Sequence, residues 1–138
     1  VGIPDSLKGH LPFAFVTLST PEHPESVIPD EGLEKEIQGL VRRQIGAIAS
    51  LGGVIQGKGM IPKTRSGKTL RKVLRELLER EVEEAAEGGE KGEKKRREIN
   101  VPATVEDASV VEVAERKVGE YFKVKGLVHK GIEEKAKL

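Results

Sequence analysis

Leu70, Val73, Leu74, Leu77, Leu78 and Val82 recur at helical spacing directly after a basic glycine turn, Ser66-Gly67-Lys68-Thr69. Such a stripe fills one side of an amphipathic helix and must be covered by another element. Arg71, Lys72, Arg75, Glu79 and Arg80 are expected on the opposite, solvated face. The rest of the chain therefore has to supply a partner surface. Residues 12–18, PFAFVTL, are aromatic and β-branched and predict a strand, followed by a proline-rich loop. Asp30 is placed to cap a helix, with Glu31 and Glu34 favourable in its first turn. Leu33, Ile37, Leu40, Val41, Ile45 and Ile48 give that helix an apolar stripe, and Gly52-Gly53 are expected to end it. VIQGKGMI, residues 54–61, predicts a short strand or ribbon. Thr104-Val105-Glu106-Asp107 resembles a capping box with Asp at its last position, ahead of a third stripe at Val110, Val111, Ala114, Val118, Tyr121 and Phe122. Strands and helices in this order predict a small α+β domain.

Charged residues make up 34% of the chain and aromatics 3%, which predicts a small core with long solvated segments. One such segment is EEAAEGGEKGEKKRRE, residues 83–98, which has almost no apolar content. The expected division is a compact domain at 1–82, a charged linker at 83–100, a helical extension at 101–126 and a flexible tail at 127–138. The formal net charge of +1 argues against a general polyanion binder. With no cysteine there is no disulfide framework and no thiolate metal site, and His10, His23 and His129 are too scattered to suggest a metal centre. No apolar run approaches the ~20 residues that span a bilayer. The chain opens on Val1-Gly2 rather than methionine and shows no signal peptide, so it reads as the C-terminal piece of a longer protein.

PKTRSGKTLRK, residues 62–72, looks like a flexible turn built for phosphate, and three readings compete for it. A nucleotide P-loop needs a glycine five residues before Gly67, and Pro62 stands there with a fixed φ and no N–H to donate. A basic nucleic-acid-binding module would use Lys63, Arg65, Lys68, Arg71, Lys72 and Arg75, aided by Lys94-Lys95-Arg96-Arg97. The region has no aromatic to stack on bases, however, and acidic residues follow closely. In the third reading the lysine is delivered to an active site formed mostly by another domain.

IPKTRSGKTLRKVLREL, residues 61–77, closely resembles the last signature of the adenylate-forming superfamily, the AMP-forming acyl-CoA synthetases and their relatives. Its usual form is P-K-T-x-S-G-K followed by a basic helix. VGIPDSLKG with PFAFVTL resembles the opening of that family's small C-terminal domain, and VRRQIGAIA, residues 41–49, resembles its V-R-x-x-I-G-x-x-A helix. The three motifs run in order over residues 1–80. T-R-S-G-K and V-R-x-x-I-G resemble the short-chain branch, the acetyl- and propionyl-CoA synthetases, and VPATVEDASVVEVA, residues 101–114, resembles a segment of the propionyl-type group. The long charged linker and an extra residue between helix and signature depart from the pattern. Neither touches the lysine. Within the superfamily the competing expectation is an adenylation domain that loads a carrier protein.

The resemblance implies a ligase that joins a short-chain carboxylate to CoA through an acyl-adenylate, using ATP, with Mg2+ held through the absent N-terminal domain. It implies that Lys68 is the adenylation lysine, carried on a turn made by Ser66 and Gly67, and that Lys63, Arg65 and Arg71 add electrostatic support. Arg42 stands where short-chain enzymes hold a CoA phosphate, and Arg43 is the register alternative. Gly2, Pro4 and Gly9 are expected to be turn residues. The signature lysine is often acetylated in this family, so an acetyltransferase and a deacetylase are expected partners alongside the chain's own N-terminal domain. No nucleic-acid or membrane partner is expected. Ala136-Lys137-Leu138 resembles the C-terminal Ser-Lys-Leu address read by the peroxisomal import receptor, which sets a peroxisomal expectation, with cytoplasm or mitochondrion otherwise.

Overall fold

The structure, a computed structural model, describes residues 1–5, 9–19, 26–46, 51–86 and 97–136, with backbone alone at 4, 5, 9, 86 and 126–136. Its elements are β1 (Gly2–Asp5), β2 (Gly9–Val16), α1 (Glu31–Ile45), β3 (Gly53–Gln56), α2 (Arg71–Ala86) and α3 (Ala108–Ala136). The strands form one mixed sheet in the order β1-β2-β3. β1 and β2 pair antiparallel, with Ile3 opposite Leu11, whereas β2 and β3 pair parallel, with Ala14 opposite Val54. A parallel pair needs a crossover, and α1 lies within it. This is the α+β class that the order of patterned segments predicts.

The core lies between the sheet and the α2–α3 pair. Ile3 and Phe13 meet Ile55 and Met60 on one side, and Val73, Leu74, Leu77 and Leu78 of α2 with Val111, Ala114, Val118 and Tyr121 of α3 on the other. The α2 stripe is buried where its spacing places it, with Leu70 and Val82 half-buried at its ends. Full burial of one leucine contributes about 1.5–3 kcal/mol, against about 0–1 kcal/mol for an exposed ion pair. Leu74, Leu77 and Leu78 therefore hold α2 far more firmly than the charges on its outer face. Phe13, Tyr121 and Phe122 form an aromatic triangle with ring centres 5.6–6.1 Å apart.

Several local expectations change. Arg80 is buried, not solvated, because it follows Leu77 by one helical step of three. Its guanidinium donates to Glu115 of α3 at 2.7 Å and to the Arg97 carbonyl at 3.2 Å. α2 runs on to Ala86 through residues expected in the linker, since Glu83-Glu84-Ala85-Ala86 are good helix formers and Glu83 accepts from Arg97 at 3.1 Å. The cap of α3 is Asp107 rather than Thr104: its Oδ1 accepts from the Ser109 amide at 2.9 Å and the Ser109 hydroxyl at 2.6 Å. The same two bonds hold the Asp107 carboxyl below the usual range. The backbone of α3 stays helical to Ala136, where a flexible tail was expected, because Leu127, Lys130, Glu133, Glu134 and Lys135 favour helix. Lys137 and Leu138 lie outside the described residues.

α1 begins as expected, with Asp30 Oδ1 accepting from the Leu33 amide at 3.1 Å. It ends at Ile45, not Gly52, and the Gly46 amide donates to the Arg42 carbonyl at 3.0 Å. No residue of α1 is buried: Leu33, Ile37 and Val41 are half-buried, while Leu40 is 50% exposed and Ile45 74%, so its apolar stripe is covered less fully than the periodicity predicts. Ile48 lies outside the described residues. Gln38 ties the helix to the start of β3, its side chain bonding both the carbonyl and the amide of Leu51 at 3.3 Å. Gly2 and Pro4 sit within β1 and Gly9 opens β2, so their backbones are paired strand and not turn. Among the described residues no helix is long and apolar enough to cross a membrane.

Candidate functional site

Pro62 is buried at the base of the signature, and its carbonyl accepts from the Leu70 amide at 2.9 Å. Between these two residues the chain folds back on itself. Lys63 and Thr69 form an antiparallel bridge, the Thr64 amide donates to the Lys68 carbonyl at 2.9 Å, and the Gly67 amide donates to the Thr64 carbonyl at 2.9 Å. Thr64 and Lys68 thus close a three-residue hairpin loop of Arg65, Ser66 and Gly67. A hairpin of this length needs a left-handed residue at its last loop position. Gly67 supplies it with φ at 88°. The segment expected to be a flexible turn is a hydrogen-bonded hairpin.

Side chains tighten it further. Thr64 Oγ1 accepts from the Lys68 amide at 3.1 Å and shares a 3.0 Å bond with the Ser66 hydroxyl. Ser66 and Gly67 lie in the loop of this hairpin, while Thr64 is the residue that sequence reasoning passed over. Its signal was present: a threonine four residues before the lysine is a short hydroxyl within reach of the local backbone.

The surroundings are strongly positive. Lys63, Arg65, Lys68, Arg71, Lys72 and Arg75 are all exposed, and the first turn of α2 carries no acidic residue. The helix N-terminus adds its own partial positive charge to these cations. A cavity of about 440 Å³ opens here, lined by Lys68, Thr69, Leu70, Arg71 and Lys72. Among the described residues no carboxylate pairs with Lys68. The arrangement can present a mobile ammonium, from a fixed backbone, to an anion approaching from outside the domain.

Arg42 and Arg43 are both exposed in the last turn of α1, where they also offset the negative end of the helix. They sit on a different element from the hairpin, and among the described residues no hydrogen bond or ion pair joins them to it. No group of three or more His, Asp or Glu among the described residues is placed to hold a metal ion.

Comparison with known proteins bears on the same lysine. Residues 1–68 match the model of the AMP-binding enzyme C-terminal domain, a span that ends on Lys68. Those residues belong to that family. The mixed sheet with its helices is accordingly the α+β C-terminal domain of adenylate-forming enzymes. The acetyl-coenzyme A synthetases of Magnetococcus marinus and Xanthobacter autotrophicus are 45% and 46% identical to it over 83 residues, covering 60% of this chain. That of Methylocella silvestris is 46% identical over 81 residues, covering 59%. In each case the match spans 12% of the relative's length. The family match ends before α2 and α3, the two helices that complete the core here.

Proposed function

We propose that this domain serves an AMP-forming acid–CoA ligase that activates a short-chain carboxylate such as acetate or propionate. In this reading Lys68 acts in the first half-reaction. A carboxylate oxygen attacks the α-phosphate of ATP, forming the acyl-adenylate and releasing pyrophosphate. Two anions are forced together as that bond forms, and the Lys68 ammonium, reaching both, offsets a repulsion that peaks in the transition state. Mg2+ would be held through the N-terminal domain that this reading implies and would supply positive charge against the ATP phosphates. In the second half-reaction CoA thiolate displaces AMP from the adenylate. Arg42 is proposed to hold a CoA phosphate there, with Arg43 as the alternative.

The observation that carries this reading is the Lys68 hairpin itself, held by the five hydrogen bonds described above, which leaves its lysine exposed and with no carboxylate partner among the described residues. The test is Lys68→Ala in the full-length protein. Acid-dependent ATP–pyrophosphate exchange is expected to fall by about 100-fold or more, while thioester formation from pre-formed adenylate persists. Acetylation of Lys68 removes the same charge and is expected to act like Lys68→Ala in the same assay. Wild-type exchange in Lys68→Ala would reject the assignment.

A further inference from the structure

Beyond the linker the chain returns to the lysine hairpin and pairs with it. Val105 forms an antiparallel bridge with Thr64, and the Glu106 amide donates to the Lys63 carbonyl at 2.8 Å. Thr64 lies between Val105 on one side and Lys68 on the other, so the returning chain reaches the lysine's backbone through Thr64. A two-stranded hairpin is marginal in water alone, and added pairing or packing against other elements gives it a fixed place. We infer that Val105 and Glu106 position Lys68, acting through the Val105 bridge to Thr64 and the Glu106 amide. This rests on the reading of Lys68 given above.

The segment that carries Val105 and Glu106 is itself held on both sides. Upstream, the Asn100 amide donates to Glu76 of α2 at 3.1 Å, and Arg80, buried in α2, donates to the Arg97 carbonyl. Downstream, Asp107 caps α3, whose Val111, Ala114 and Val118 are buried in the core. Val105 packs half-buried against the same cluster. A continuous set of contacts thus runs from the α2–α3 core through residues 97–107 to the backbone that carries the lysine. None of that segment falls within residues 1–68, the span matched to the family. A lysine with a long flexible stem needs its Cα held, since a displacement near 1 Å at a reacting group costs about 100-fold in rate.

The test uses Val105→Ala and Glu106→Pro in the full-length protein, the second removing the donor to Lys63. Pyrophosphate exchange is expected to fall about 10-fold or more, with thioester formation from pre-formed adenylate kept within about twofold. Amide hydrogen exchange at Thr64, Gly67 and Lys68 is expected to quicken about fivefold. Val105→Ile keeps a β-branched side chain packed against the core and is expected to retain both. If Glu106→Pro fails to fold, Val105→Ala carries the comparison. Equal loss in both half-reactions, or full pyrophosphate exchange while the hairpin amides exchange faster, would overturn the role. Lys68→Ala separates the two ideas: full activity there removes the assignment of Lys68, whereas lost activity there with wild-type activity in Val105→Ala removes only the positioning role of Val105 and Glu106.

Discussion

The hydroxyl of Tyr121, on α3, occupies the space that a Cβ would need at Gly53, on β3. Phe13 presses on the same point from β2, with its Cε1 2.7 Å from that position. The glycine therefore serves the approach of helix to sheet and not the end of a helix. Burial also pushes the Tyr121 hydroxyl up to about 12, with Glu34 of α1 as a secondary cause.

Gly53→Ala is expected to destabilise the domain by about 3 kcal/mol, the upper part of the range for overpacking a filled core. Neither atom in the way is the end of a flexible chain. Urea denaturation would read the change as a lower midpoint at unchanged slope. A loss below about 0.5 kcal/mol, the level of an ordinary surface change, would mean that α3 does not seat on β3.

Gly67→Ala meets no atom within 4 Å, so its cost is one of backbone conformation alone. Forcing alanine into the left-handed region costs about 1–2 kcal/mol. The loss is expected at the hairpin rather than across the domain, slowing pyrophosphate exchange with little change in global unfolding. Gly67→Asn is expected to retain more activity, because asparagine tolerates this conformation. Equal activity in Gly67→Ala and the parent would show that the turn adapts without penalty.

Arg42→Glu reverses a charge at the end of α1 without disturbing the core, since the side chain is exposed. The expected outcome is a raised KM for CoA with adenylate formation nearly unchanged, because a phosphate contact made only in the second half-reaction cannot affect the first. The same pattern in Arg43→Glu, with Arg42→Glu silent, would move the contact by one residue.

Legibility in the sequence followed the range of the interaction. The α2 stripe and the Asp30 cap depend on neighbours three or four residues away, so both stood out before any coordinates. Lys68 stood out through resemblance to a family signature. The rigidity of its hairpin did not, because it depends on one hydroxyl, Thr64 Oγ1, and on the conformation of Gly67. The pairing of Val105 with Thr64 joins segments on either side of a charged stretch, and no local pattern announces such a contact. Helix α1 shows the opposite failure: its apolar spacing is sound, yet spacing alone does not say whether anything covers it.

That exposed helix has an energetic consequence. Native domains open in pieces whose free energies range from near zero to the full unfolding value, and buried apolar contact largely sets where a piece falls. α1 has no buried residue and is tied down through Gln38 and through the 3.6 Å pair between Glu34 and Lys125. Its amides should therefore exchange by a local opening well below the global barrier, while those of α2 wait for the whole domain. Arg42 and Arg43 would then ride on an independently melting unit, free to settle against whatever they bind without disturbing the sheet behind them.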